Sequence, residues 1–151
     1  MKIKFTVLGE PQGKGRPRFA NIKGRVITRT PDATVLYENL IVTEYRRQVG
    51  SAKFPDNEML YLSIKAYFSI PASAPKKKQQ QMENGDIRPT KKPDMDNIIK
   101  VVADSLNSVA YRDDAQVVDC QLRKFYSRQP RIEVIILNAN KNQTERSNGN
   151  E

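Results

Sequence analysis

The stretch Leu60-Tyr61-Leu62-Ser63-Ile64-Lys65-Ala66-Tyr67-Phe68-Ser69-Ile70 alternates strictly between two sets of side chains. Leu60, Leu62, Ile64, Ala66, Phe68 and Ile70 fall on one side of an extended chain, and Tyr61, Ser63, Lys65, Tyr67 and Ser69 on the other. Successive strand residues point to opposite faces, so the pattern predicts a strand with one wholly apolar face. Such a face needs a covering layer.

Two helices are predicted to supply it. Ile98, Ile99, Val102, Ala103, Leu106 and Val109 fill one arc of a helical wheel from about 95 to 109. Leu36, Tyr37, Leu40, Ile41 and Tyr45 recur at helical spacing from about 31 to 49, with Thr30 as N-cap and Pro31 at the first helical position. Residues 2 to 8 alternate like a half-buried strand, and residues 116 to 127 and 131 to 138 read as a closing antiparallel pair around Gln129-Pro130. Lys76 to Met82, ending at Asn84-Gly85, reads as a short exposed helix or a mobile flap. The expected fold is a single α/β or α+β domain over residues 1–138, with a mixed sheet of about four strands packed against two main helices. Residues 139–151 are polar and aperiodic, so a disordered tail is expected there.

With 151 residues the chain can bury one core without disulfides or structural metals. It has no apolar run near the roughly 18 residues of a membrane span. Met1-Lys2-Ile3-Lys4-Phe5 alternates charge with apolar character, unlike a secretory signal, so a cytoplasmic protein with no membrane partner is expected. The lone cysteine, Cys120, can form no internal disulfide and reads as a buried, inert thiol.

Lys and Arg number 26 against 17 acids, a net charge of +9, and the pI is about 9.7. Such a chain attracts polyanions, nucleic acid first. From Pro11 to Thr30 there are six bases and no acid, with Gly13, Gly15, Gly24 and two prolines, which predicts a basic, irregular loop. Lys14, Arg16, Arg18, Lys91, Lys92 and Arg112 are the candidates for phosphate contacts. Tryptophan is absent and aromatics are 7%, so backbone and shape recognition fits better than base stacking.

Against this background the segment from Asp94 to Asp119 reverses sign, with six aspartates (94, 96, 104, 113, 114 and 119) and two bases, Lys100 and Arg112. Carboxylates brought together from two segments can hold a hard divalent ion, which binds phosphate and activates water. In Lys92-Pro93-Asp94-Met95-Asp96-Asn97, Asp94 stands at the mouth of the second helix and Asp96 in its first turn. Lys100 and Asp104 follow at about 40° and 80° on the wheel, clear of the apolar arc. A strand running back after Asp113-Asp114 could return a third carboxylate, Asp114 first and Asp113 second. Each acid also has a plainer reading. Asp94 could be only a cap, Asp96 and Lys100 only an ion pair, and Asp113-Asp114 only a turn.

The run Lys92-Pro93-Asp94-Met95-Asp96-Asn97-Ile98-Ile99-Lys100, then Asp104-Ser105-Leu106-Asn107, then Asp113-Asp114-Ala115-Gln116-Val117-Val118-Asp119, closely resembles the RusA family of Holliday junction resolvases. Gly9-Glu10-Pro11-Gln12-Gly13-Lys14-Gly15-Arg16-Pro17-Arg18 resembles the basic loop of its phage and prophage members, and the likeness spans about residues 1 to 138. The resemblance implies metal-binding carboxylates at Asp94, Asp96 and Asp114 and a catalytic lysine at Lys100. It also implies a Mg²⁺- or Mn²⁺-dependent homodimer that binds four-way and other branched DNA and nicks two opposing strands symmetrically, in recombination and repair. The chain is one residue shorter than some members before Asp113.

There is no histidine, so the usual neutral-pH base is missing and water activated by a metal is the expected nucleophile, leaving 5′-phosphate and 3′-hydroxyl ends. Lys100 would neutralise charge growing on the scissile phosphate. The rival is a noncatalytic basic DNA-binding protein of phage origin, indifferent to Asp94→Asn. The acids alone would also permit a nucleotide phosphohydrolase, but so long a basic segment argues against a small-molecule substrate.

Overall fold

The computed structural model describes residues 1–141. Chain order is β1 (Lys2–Leu8), β2 (Arg18–Ile22), β3 (Arg25–Arg29), α1 (Asp32–Gln48), β4 (Leu60–Ser69), α2 (Lys76–Glu83), α3 (Met95–Ser105), a 3₁₀ turn (Asp114–Gln116), β5 (Val117–Ser127) and β6 (Arg131–Asn138). Four strands form one mixed sheet in the order β1-β6-β4-β5, so the expected α+β class and single mixed sheet hold.

The alternation in β4 does what it predicts. Leu60, Leu62, Ile64, Ala66 and Phe68 are buried, and they join Ile3, Phe5 and Val7 of β1 and Ile132, Val134 and Ile136 of β6 in one core. Tyr37, Ile41 and Tyr45 of α1 and Ile98, Val101 and Val102 of α3 cover that face. Both helices therefore lie on the same side of the sheet.

Several expectations are corrected. The last two strands do not pair with each other. β4 lies between them, parallel to β5 and antiparallel to β6. Arg128-Gln129-Pro130 spans the end of β4 from Ser127, beside Ser69, to Arg131, beside Tyr67. A step of two strand spacings, about 10 Å, is within reach of a three-residue link.

The basic segment contains a hairpin where an irregular loop was expected. β2 and β3 pair antiparallel from Arg18↔Arg29 to Ile22↔Arg25. The two-residue turn Lys23-Gly24 has φ of 51° and 75°, the left-handed conformation that a primed hairpin turn needs and that glycine adopts freely. Every residue of the ribbon is exposed, so no apolar alternation betrays it.

Helix α1 starts one residue later than expected. Pro31 is the N-cap, with extended ψ of 142°, and Thr30 does not cap. Helix α3 ends at Ser105, before Val109, because Ser108 turns left-handed at φ 64° and its N–H donates to Tyr111 O at 2.8 Å. Cys120, expected inside, is exposed on the edge strand β5. The short segment after Pro75 is the helix α2, with only Met82 buried. Of the expected tail, Ala139 is buried and its N–H donates to Met59 O at 3.0 Å, while residues 142–151 lie outside the described part.

Candidate active site

Chain direction places the acids along α3. A cis Lys92–Pro93 peptide leads into Asp94, the N-cap residue, whose carboxylate makes no capping hydrogen bond. Asp96 lies in the first turn, and Lys100 and Asp104 follow at four-residue intervals, so the three share one stripe. Asp94, Asp96 and Lys100 are exposed and Asp104 is half-buried. The opposite stripe, Ile98, Val101, Val102 and Ser105, is buried and fixes the rotation of the helix. Amphipathicity thus aims the polar residues outward as a consequence of burying the others.

Asp114 joins this row at its far end. The sequence suggested a strand carrying it back to the start of the helix, but the early stop of α3 and the tight turn after it bring Asp114 beside Asp104. Its N–H donates to Asn107 Oδ1 at 2.8 Å, and buried Tyr111 braces the turn through a 2.7 Å bond from its hydroxyl to Ala103 O. Asp113 caps the 3₁₀ turn by accepting from Ala115 N at 2.8 Å, while Gln116 Oε1 accepts from Arg112 N and Asp113 N. Burial first, then the facing carboxyls of Asp113 and Asp104, push the Asp114 carboxyl above the usual range.

Lys14 is tied to both ends of α3, by its backbone to the start and by its ammonium to the end. Its N–H donates to Asn97 O at 2.9 Å, and its ammonium meets Asp104 Oδ2 at 2.7 Å and Glu38 Oε1 at 3.6 Å. Burial works against that charge, but the Asp104 and Glu38 partners outweigh it and hold the group above an ordinary lysine. A phosphate would have to compete for an ammonium that already has two carboxylates. Gly13 is packed so closely that a Cβ there would stand 2.9 Å from the Cβ atoms of Asn97 and Pro93.

The remaining DNA-contact candidates, Arg16, Arg18, Lys91, Lys92 and Arg112, are all exposed. Lys91 and Lys92 adjoin Asp94 in sequence, Arg18 opens the hairpin, and Arg112 approaches Asp56 Oδ2 at 3.7 Å. Lys124, unremarked in the sequence, donates to Lys91 O at 2.6 Å and Pro93 O at 3.1 Å, and feels the charge of Asp94. Burial nevertheless holds its ammonium below the normal lysine value.

Asp94 and Asp104 are ten residues apart on one helix, a rise of about 15 Å. Among the described residues no three acidic, cysteine or histidine side chains converge on one point as a metal cage does. The donor chemistry still fits a hard divalent ion, since every candidate ligand is a carboxylate oxygen.

A row of carboxylates broken by one lysine, on a basic domain with exposed arginines, is the equipment of an enzyme acting on a polyanion. Residues 9–137 match the family described as "Endodeoxyribonuclease RusA", and the chain belongs to that family of nucleases. A Bacillus subtilis (strain 168) relative, named "Uncharacterized protein YqaN", is 42% identical over 139 residues, which cover 89% of this chain and 94% of the relative.

Among the described residues no helix is long and apolar enough to cross a membrane.

Proposed function

We propose that this protein is a Mg²⁺-dependent endonuclease, with Mn²⁺ as a substitute, that resolves four-way DNA junctions in the cytoplasm. It acts as a homodimer whose two sites nick opposing strands. The observation that carries this reading is the Asp96–Lys100–Asp104 stripe of α3, exposed at Asp96 and Lys100 and half-buried at Asp104, with Asp94 at one end and Asp114 at the other.

Asp94, Asp96 and Asp114 are the residues that would hold the ion, and because Asp94 and Asp114 stand at opposite ends of the row they would have to draw together around it. When bound, it supplies Lewis acidity at a phosphoryl oxygen and lowers the pKa of water. The chain's own part is charge and orientation. Lys100, between the acids on the same stripe, places a compact positive charge where the scissile phosphate becomes more negative. Lys91, Lys92, Arg16, Arg18 and Arg112 hold flanking phosphates, which sets the strand without reading its bases.

A synthetic four-way junction, incubated with purified protein with and without Mg²⁺, tests the reading. Paired nicks are expected with the metal, and none from Asp96→Asn, which should still shift the junction in a gel. Equal behaviour of Asp94→Asn and wild type would favour the noncatalytic DNA-binding rival.

A further inference from the structure

Odd-numbered residues of β4 point away from the two covering helices, α1 and α3. Tyr67 stands between Arg131 of β6 and Phe125 of β5, and Lys65 stands between Glu133 and Arg123. The rings of Tyr67 and Phe125 stack at 5.5 Å. Arg131 lies over Tyr67 at 3.9 Å, and Arg88 and Arg123 lie over Phe125 at 4.5 and 5.1 Å.

A solvated sheet face usually mixes charges of both signs. Around these rows stand four cations, Lys65, Arg123, Arg131 and the adjoining Arg88, against two acids, Asp119 beside Tyr61 and Glu133, which is already engaged by Arg131 at 3.1 Å. Lys65 and Arg123 are direct cross-strand neighbours of like charge, an arrangement that destabilises a sheet unless an anion offsets it. Guanidinium planes resting on rings have little freedom left to lose, and Arg123 keeps its donor edge for a ligand.

We infer that this face, turned away from α1 and α3, is a second DNA-binding surface, with Arg123, Lys65 and Arg88 holding backbone phosphates of a junction arm. The DNA is the partner because the charge is one-sided. The assignment of the polyanion rests on the nuclease reading above.

The test is junction binding by fluorescence anisotropy without divalent metal, across a series of salt concentrations. Arg123→Ala and Lys65→Ala should each bind more weakly and lower the slope of log affinity against log salt by about one, the value of one lost phosphate contact. Arg123→Glu should weaken binding more than Arg123→Ala. Circular dichroism melts confirm that the variants fold, and two independent positions guard against a local defect in one. Wild-type affinity and slope in both alanine variants overturn the inference. So does an unchanged slope together with a change of oligomeric state by light scattering, which assigns the face to contacts between copies. Failure of the wild type to cleave in Mg²⁺ or Mn²⁺ removes the nuclease reading instead, and the salt slopes still decide whether this face meets DNA.

Discussion

The ammonium of Lys14 stands 2.7 Å from Asp104 Oδ2, so a residue of the basic N-terminal segment is bound into the acidic row. Side chains of both partners are only about a quarter exposed, at 22% and 26%. The pair is therefore less screened than a surface bridge. Asp104 in turn faces Asp114, and loss of Lys14 would remove the ammonium bound to Asp104. Lys14→Met should lower the cleavage rate about ten- to a hundredfold, as loss of a supporting group around a metal site does. The salt slope of junction binding should stay at the wild-type value. A phosphate-contacting lysine would show the reverse, a slope lower by about one with near-normal cleavage at saturating DNA.

Asp114 is held at a cost in stability. Its carboxyl is raised by burial and by Asp113 and Asp104, so the folded state binds its proton more tightly than the unfolded chain does. For an acid shifted in that direction, the ionised group destabilises the fold at neutral pH, and the penalty vanishes as pH falls below the ordinary aspartate value of about 4. Asp114→Asn should thus raise Tm slightly in EDTA at neutral pH, by about 1–3 °C, and the gain should shrink in acid. The variant should cleave no junction. Mg²⁺ should raise the Tm of wild type and not of the variant. A lower Tm for Asp114→Asn in EDTA would argue against the repulsion described here.

Lys100 is exposed, and its place between Asp96 and Asp104 is set by helical spacing. If its charge acts on the transition state more than on bound DNA, Lys100→Ala should lower kcat about a hundredfold with a much smaller change in junction affinity. Single-turnover cleavage at saturating enzyme separates the two quantities. A change in affinity as large as the change in rate would make Lys100 another phosphate anchor.

How much of this was legible beforehand differs by element. β1, β4, β6 and α1 carry apolar periodicities that burial imposes, so Leu62, Ile64 and Tyr45 announce their surroundings. The β2–β3 ribbon has no buried side and hence no such signal. Its one clue is Lys23-Gly24, a two-residue turn between short runs containing Phe19, Val26 and Ile27. Strand partners are invisible to local pattern, which is why β5 looked like the neighbour of β6. Within the site, Asp94, Asp96 and Lys100 are local to one helix start and were readable together. Asp104 was readable too, as the next residue on the same stripe, yet the sequence singled it out only as one acid among six. Lys124 depends on tertiary contacts and nothing in its neighbours marks it, while Asn107 stood in the family-like run Asp104-Ser105-Leu106-Asn107 with no role attached until its Oδ1 was seen to accept from Asp114 N.

Gly13 gives the last prediction. The segment around it is fastened to the helix by the bond from Lys14 N to Asn97 O at 2.9 Å and to α1 by the bond from Gly15 N to Thr34 Oγ1 at 2.9 Å. A methyl group at residue 13 would press at 2.9 Å on two Cβ atoms, those of Pro93 and Asn97, and neither is the loose end of a flexible chain. Gly13→Ala must therefore push the segment away from α3 or shift the helix start that carries Asp94. Overpacking of this kind costs about 1–3 kcal/mol, so Tm should fall by several degrees. The Lys14–Asp104 bridge would be stretched as well, and cleavage should drop as it does for Lys14→Met. Serine at the same position carries the same Cβ and should be at least as damaging, which rules out polarity as the cause. Near-normal Tm and cleavage in both variants would mean that the segment moves aside freely and does not brace the acidic row.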